Sequence, residues 1–349
     1  VAPYLSAVSD YLKATLAGYG DTIPPTLLQI GKQALSMPGK VMAEALAEIM
    51  GETDSAALPL ARWPLFVILS YQAALPAEER GTWQKAVPAA VALEIAIAAT
   101  DILDELADAD PSPIIRLYGP GQAMNTANLM LVVAQQVLLK QGLEPNGERA
   151  LHALQALLDI GLQAGVGQHL DMLYSGLGPQ DVTLEMAAHV TSLKAGALIA
   201  GACRMGALMA GAQGEILDTI TRFGQELGGI AQVLNDIQDV LPQATNLGAD
   251  ALPGRKTDII QRKRTLPIVF TLRDDSAEPN ALQRSFDAPK TSSADEEELS
   301  QAILEAGGVQ FAQLVIEVHK QNAIEAVQQL ESLRPGAREV LRPIFSIEE

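Results

Sequence analysis

Two carboxylate clusters are the residues of this chain best suited to chemistry: Asp101, Asp104, Glu105 and Asp108 in the first, Asn235, Asp236 and Asp239 in the second. Both interrupt apolar stretches with helical periodicity. Residues three, four and seven apart share a helix face, so the first cluster forms one acidic face, and Asn235 and Asp239 share another. A single face carrying several acids is ordinarily a solvated surface. Two such faces opposed across a helical bundle would instead make an oxygen-lined cage for a hard divalent cation, a setting that suits Mg²⁺ bound to a diphosphate.

The elements that must position these acids read as helices. The 349 residues are 48% hydrophobic and only 4% aromatic, with Ala and Leu dominant, a composition that favours an all-α fold over strands. Pro and Gly clusters at Pro24-Pro25, Pro38-Gly39, Leu75-Pro76, Pro111-Ser112-Pro113, Pro145-Asn146-Gly147, Gly176–Pro179 and Pro253-Gly254 divide the periodic segments. They imply about a dozen helices. No shift in composition marks a second domain, so residues 1–349 are expected to form one. The stretch 274–298, polar and ending in Asp295-Glu296-Glu297-Glu298, is expected to be a mobile surface loop.

Charge excludes one large class of partner. With 42 acids against 24 bases the chain carries a formal charge of −18, which argues against binding nucleic acid by phosphate neutralisation. No glycine-rich phosphate loop follows a strand-like run. Cys203, the single cysteine, cannot form an internal disulfide and reads as a core residue in a reducing compartment. The apolar runs Ala89–Thr100 and Lys194–Ala212 are broken by polar residues or glycine, so core helices are expected rather than membrane spans. Val1-Ala2-Pro3-Tyr4 lacks a signal-peptide pattern, and a cytoplasmic location is expected. His152, His169, His189 and His319 lack the spacing of a zinc site.

Further landmarks flank the two clusters in a fixed order. Thr100-Asp101-Ile102-Leu103-Asp104 occupies the place of a DDxxD motif. Tyr118-Gly119 precedes Ala127-Asn128-Leu129, and Gly167-Gln168-His169-Leu170-Asp171 looks like GQxxD. Lys194-Ala195 precedes Gly206–Gly211. Phe223-Gly224 leads through Gly228 and Gln232 to Asn235-Asp236-Ile237-Gln238-Asp239, and Asp258-Ile259-Ile260 precedes Lys263-Arg264-Thr265-Leu266-Pro267. From about Val91 to Pro267 this order resembles the trans-isoprenyl diphosphate synthase family, class I all-α enzymes that condense allylic diphosphates with isopentenyl diphosphate.

The resemblance implies a class I isoprenoid synthase fold with a central apolar cavity, Mg²⁺ as cofactor, an allylic isoprenyl diphosphate as substrate, and a homodimer. It assigns Asp101, Asp104, Glu105, Asn235, Asp236 and Asp239 to the metal, with Lys194 completing the diphosphate clamp. Lys40, Arg116, Gln168, Asp171, Gln232, Arg255 and Lys256 fall at substrate-binding positions. Peripheral membrane contact through a lipophilic product is a further expectation. Ala96, Ile97, Ala98 and Ala99 precede the first cluster without an aromatic plug, which by resemblance implies a long product.

The departures from the family pattern are specific. Thr100 and Asn235 stand where each motif would open with Asp, the paired arginines after the first motif are reduced to Arg116, Asn128 replaces an Asp, and Lys40 lacks its arginine neighbour. These losses fall mainly on isopentenyl diphosphate binding. Three readings stay open: a diverged prenyl diphosphate synthase; a terpene synthase, or a head-to-head or peptide prenyltransferase, that needs no isopentenyl diphosphate; and a non-catalytic isoprenoid-binding subunit.

Overall fold

The computed structural model describes residues 1–20, 22–36, 63–109, 112–241, 257–273, 281–287 and 296–345. Among them every regular element is helical and no strand occurs, as the composition leads one to expect. In chain order the helices are α1 (Ala2–Ala17), α2 (Pro25–Ser36), α3 (Trp63–Ala74), a 3₁₀ stretch (Ala77–Ala86), α4 (Val87–Ala107), α5 (Pro113–Gly142), α6 (Glu148–Ser175) and α7 (Leu184–Thr191). A π-helical turn (Ser192–Gly196) follows, then α8 (Ala197–Ala210), α9 (Gly214–Val240), α10 (Asp258–Gln261), α11 (Leu266–Leu272), α12 (Ala281–Asp287), α13 (Glu296–Glu305), α14 (Gly308–Leu333) and α15 (Ala337–Leu341).

The starts follow local chemistry. Pro25, Pro88, Pro113 and Pro267 stand in the first turn of α2, α4, α5 and α11, where a missing amide hydrogen costs nothing. The hydroxyls of Ser112 and Thr183 accept the amides of Ile115 and Met186 at 3.3 and 3.2 Å, capping α5 and α7. α5 bends at Gly119, whose φ is 78° and which is followed by Pro120; Pro120 has no amide hydrogen for the helical ladder.

The described residues divide into two compact units. The first holds 1–161, 199–225 and 322–345 and is organised around α4, against which α1, α2, α3 and α5 pack. Ala89, Ala90, Val91, Ala92 and Leu93 are fully buried, as in a helix that is apolar all round and surrounded by others. Apart from Glu94 in its middle, polarity gathers at the C-terminal end of α4, where Asp104 is exposed and Asp101 and Asp108 half-buried. The Tyr118 hydroxyl donates to Gln33 Oε1 at 3.0 Å, tying α5 to α2.

The second unit holds 162–198 and 226–321. Phe270 and Phe311 stack at 4.6 Å, and Ser300 on α13 donates to the Val240 carbonyl at 2.6 Å, fastening the end of α9. Within 274–298, expected to be a loop, 281–287 forms α12 and 296–298 opens α13. Leu282 and Phe286, one turn apart, are buried, and that apolar pair suffices to dock a short helix despite its polar neighbours. Ala77–Ala107 and Leu184–Ala210 are long and apolar enough to cross a membrane, but 72% of each apolar window is buried inside the protein, as in core helices.

Cys203 on α8 is fully buried, and burial pushes its thiol up to about 12 against a smaller opposing effect of the Ser70 hydrogen bond. Native protein at about pH 8 is therefore expected to resist thiol reagents and to take up a single equivalent once unfolded in guanidinium. Rapid labelling of the native chain would show that this core opens.

Candidate functional site

The second unit gathers a compact cluster of opposed charges. Asp171 and Gln168 come from α6, Lys194 from the π-helical turn, Gln232, Asn235, Asp236 and Asp239 from the last two turns of α9, and Asp258, Lys263 and Arg264 from α10 and the segment after it. Asp171, Lys194, Asn235, Asp236, Asp258 and Lys263 border a cavity of about 30 Å³, room for a bare ion or a water or two. Lys194 Nζ donates to Asp171 Oδ2 at 2.8 Å, with only 20% and 8% of the two side chains exposed. Lys263 Nζ lies 3.7 Å from Asp258 Oδ1, and Gln232 Nε2 donates to Asp236 Oδ1 at 2.9 Å.

Lys194 reaches this place because the helix is interrupted under it. Its backbone, at φ −83° and ψ −112°, leaves the helical region inside the π-helical turn, and such a bulge re-aims the side chain it carries. Two glycines let neighbouring helices press on the turn. A Cβ at Gly228 of α9 would lie 2.3 Å from the Ala195 carbonyl oxygen, and one at Gly167 of α6 would lie 2.9 Å from Leu193 Cβ. Neither position has space for a side chain.

The segment 257–265 is held with comparable specificity. The Thr257 hydroxyl is hydrogen bonded to Glu296, Arg264 donates to the carbonyls of Arg262 and Leu177 at 2.6 Å each, and its guanidinium lies 4.7 Å from the centre of the Phe286 ring. Burial, with Arg262 adding to it, draws Arg264 down to about 10. Arg264 thus braces the loop, leaving Lys263 as its cation at the cavity.

Negative charge is in excess here. Among the described residues Asp171, Asp236, Asp239 and Asp258 stand against Lys194, Lys263 and an Arg264 whose guanidinium is already engaged by carbonyls. Burial raises the Asp236 carboxyl to about 7; Gln232 and Lys194 oppose the rise, and Asp171 and Asp239 add to it. Burial, followed by the Asp239 charge, raises Asp258 well above the ordinary carboxylate range. Carboxylates crowded until ionisation becomes unfavourable accept an added cation readily.

The other acidic face closes α4 in the first unit. The Thr100 hydroxyl donates to the Ile97 carbonyl of its own helix at 2.8 Å, so it is engaged where a motif carboxylate was expected. One turn later, Asp104-Glu105-Leu106-Ala107-Asp108 is a run with an acid at every motif position. Asp104 is exposed, Glu105 buried, and Asp108 caps the helix. Both acidic runs lie at helix C-termini, where the macrodipole is negative and each acid is disfavoured by about 0.3–1 kcal/mol. Hard oxygen donors placed against such dipole ends fit a divalent cation. Among the described residues, however, no three acids, histidines or cysteines converge closely enough to hold one unaided.

Lys40, Arg255 and Lys256 lie outside the described residues. Arg116 is exposed on α5, and His169 is exposed on α6. Asp258 and Lys263 line the cavity of the second unit; both stood in a family landmark of the sequence but were not assigned a site role, and Asp108 was read only as part of the first acidic face. Glu94, two turns before Asp101 on α4, was also missed; its Oε2 is shut from solvent, and burial raises its carboxyl to about 7.

Asp236 stays protonated in the folded chain up to about pH 7, against an ordinary value of 3.8. Its contribution to stability is full below that ordinary value and is lost as pH rises towards about 7. In EDTA, melting midpoints are expected to fall over this window, and Asp236→Asn to melt above wild type at about pH 8. A variant that melts lower there would show that the fold stabilises the ionised carboxylate.

The chain is similar to known proteins over most of its length. The polyprenyl synthetase family model matches residues 62–305. A geranylgeranyl diphosphate synthase of Mycobacterium tuberculosis is 28% identical over 69% of this chain and 68% of its own length. The tryptophan prenyltransferase ComQ of Bacillus subtilis is 28% identical over 68% of the chain and 73% of its own. For curated farnesyl diphosphate synthases the matched stretch spans 62% of the relative. The crystal structure of a polyprenyl synthetase from Streptomyces coelicolor A3(2) superposes with a TM-score of 0.72 at 23% identity, covering 99% of this chain and 97% of that one, which establishes the all-α isoprenoid synthase fold. With most of its length matched by the family model, and with the acid runs and lysines in place, the chain belongs to the polyprenyl synthetase family.

Proposed function

We propose that this protein is a Mg²⁺-dependent prenyltransferase that ionises an allylic isoprenyl diphosphate and transfers its prenyl group. The observation that carries this reading is the excess of carboxylates at the C-terminal ends of α4 and α9, with Lys194 and Lys263 beside the second. By resemblance to the family, Asp101, Asp104, Glu105 and Asp108 at the end of α4, and Asn235, Asp236 and Asp239 at the end of α9, would each offer oxygens to a cation carrying the diphosphate. Bound Mg²⁺ would neutralise the leaving diphosphate without a proton donor. Lys194, carried on the π-helical turn, would offer its charge to the same oxygens. Gln232 steadies Asp236 for the task by its 2.9 Å hydrogen bond. Lys40, Arg116, Arg255 and Lys256 extend the clamp by resemblance to the family. Gln168, one turn before Asp171 on α6, completes the substrate-facing set.

The whole chain would act as one isoprenoid-synthase-like domain in the cytoplasm, consistent with a single buried thiol. Homodimer formation is supported by Leu117, Met124 and Val132, apolar residues of α5 exposed at 65%, 50% and 52%, surface of the kind a second copy would cover. The small residues Ala96, Ala98 and Ala99 before the acidic run favour a long product. Contact with a membrane surface would follow from such a product. Likeness to ComQ favours a second reading, transfer to an acceptor other than isopentenyl diphosphate, tryptophan among them; the lost arginine beside Lys40 points the same way.

Purified protein is to be incubated with Mg²⁺ and geranyl, farnesyl or geranylgeranyl diphosphate, with isopentenyl diphosphate, with a tryptophan-containing peptide, or with neither. Elongation supports the synthase reading and peptide prenylation the second; binding without turnover under all conditions would sink both. Asp104→Ala, Asp108→Ala and Asp239→Ala are each expected to lower kcat by about 100-fold or more, whereas Thr100→Val leaves it within about 3-fold, since that hydroxyl serves its own helix. Equal loss for Thr100→Val and none for Asp108→Ala would restore the earlier motif register.

A further inference from the structure

A second cavity lies wholly in the first unit, between the start of α6 and the turn joining α8 to α9. Its volume is about 430 Å³, within the range of small-ligand sites. None of its residues belongs to either acidic run or to the lysine cluster. Arg149 and His152 line it from α6, Arg204 from α8, and Leu208 and Leu217 give it an apolar wall.

The two arginines are built differently from ordinary surface cations. α8 reads Ala-Leu-Ile-Ala-Gly-Ala-Cys-Arg-Met-Gly-Ala-Leu-Met-Ala, so Arg204 is its one charged residue, and it is half-buried. A partly desolvated guanidinium ordinarily has a carboxylate or carbonyl partner. Arg149 lies with its guanidinium directly over the Gly211 backbone: a Cβ there would sit 2.8 Å from Cζ, and Gly211 has a φ of 84°. Glycine therefore both makes the turn and leaves the space the guanidinium fills. Neither arginine has a hydrogen bond or ion pair with any described residue. The cavity's acids are turned to their own helix: Glu148 faces His152 at 4.0 Å, and Asp159 accepts from Gln155 at 2.9 Å.

Two unpartnered guanidiniums on one cavity repel each other until an anion bridges them, and their planar forks suit phosphate oxygens. We propose that this cavity is an accessory site for a diphosphate group, held by Arg149 and Arg204, with the apolar wall able to receive a short hydrocarbon attached to it. The overall charge of −18 repels weakly held anions, so a multiply charged group is favoured over a single carboxylate.

The test is equilibrium dialysis of the full chain in EDTA, which removes cation-bridged binding, with labelled inorganic diphosphate, inorganic phosphate and farnesyl diphosphate in separate arms. EDTA-resistant binding of diphosphate is expected, weakened about 10-fold or more by Arg149→Gln and again by Arg204→Gln, but retained in Lys194→Gln. Arg149 is exposed, so its variant is expected to fold even if the Arg204 variant does not. Tighter binding of farnesyl diphosphate than of inorganic diphosphate supports the site and assigns the apolar wall to the ligand's hydrocarbon; equal binding supports it with free diphosphate as the ligand. Phosphate binding as tightly as diphosphate overturns the diphosphate assignment. Absence of EDTA-resistant binding, or binding lost in Lys194→Gln and kept in Arg149→Gln, overturns the site.

Discussion

Uncompensated negative charge is the constraint on which the rest of this structure turns. Among the described residues Asp171, Asp236, Asp239 and Asp258 gather around one small cavity with Lys194, Lys263 and an Arg264 already engaged by carbonyls, and burial pushes Asp236 and Asp258 towards protonation. Nothing about folding favours that arrangement. Both acidic runs also occupy the helix ends at which the dipole opposes them. Carboxylates kept where burial, neighbouring charge and backbone dipoles penalise them are groups that an added cation would stabilise.

The surrounding architecture maintains this condition. α4 is apolar until its last two turns except at Glu94, so its other acids surface at its end. The π-helical turn presents Lys194, and it lies against α6 and α9 only because Gly167 and Gly228 have no side chains. Arg264, which in sequence looks like part of an anion clamp, instead bonds to two carbonyls and stacks on Phe286. The loop it braces sets Lys263 beside Asp258. Stability is thus given up at the carboxylates and recovered in the frame around them, a common division at active sites.

Much of this was legible from residue order. Composition implied helices, proline and glycine clusters marked several of their boundaries, and the order of the landmarks from the first acidic run to Lys263–Pro267 pointed to the family. Register was less legible. An apolar helix accepts an acid at several successive turns, so the motif was placed on Thr100–Asp104, whereas Asp104–Asp108 one turn later carries an acid at every motif position. Likewise 281–287 looked like loop because polar residues outnumber apolar ones there, yet Leu282 and Phe286 are enough once a core is available to receive them.

What the sequence by itself determined is the set of chemical groups and their local periodicity: which acids share a helix face, which lysines follow them, and that the whole is helical. These are short-range properties, governed by backbone geometry and side-chain type. Tertiary structure alone decided which charges meet. Lys194 and Asp171 are 23 positions apart and form a 2.8 Å ion pair, Arg149 reaches the Gly211 turn, and Arg264 is diverted to carbonyls. Such pairings depend on close packing of helices distant in the chain, and packing responds to the volume of every side chain between them, which no local pattern encodes.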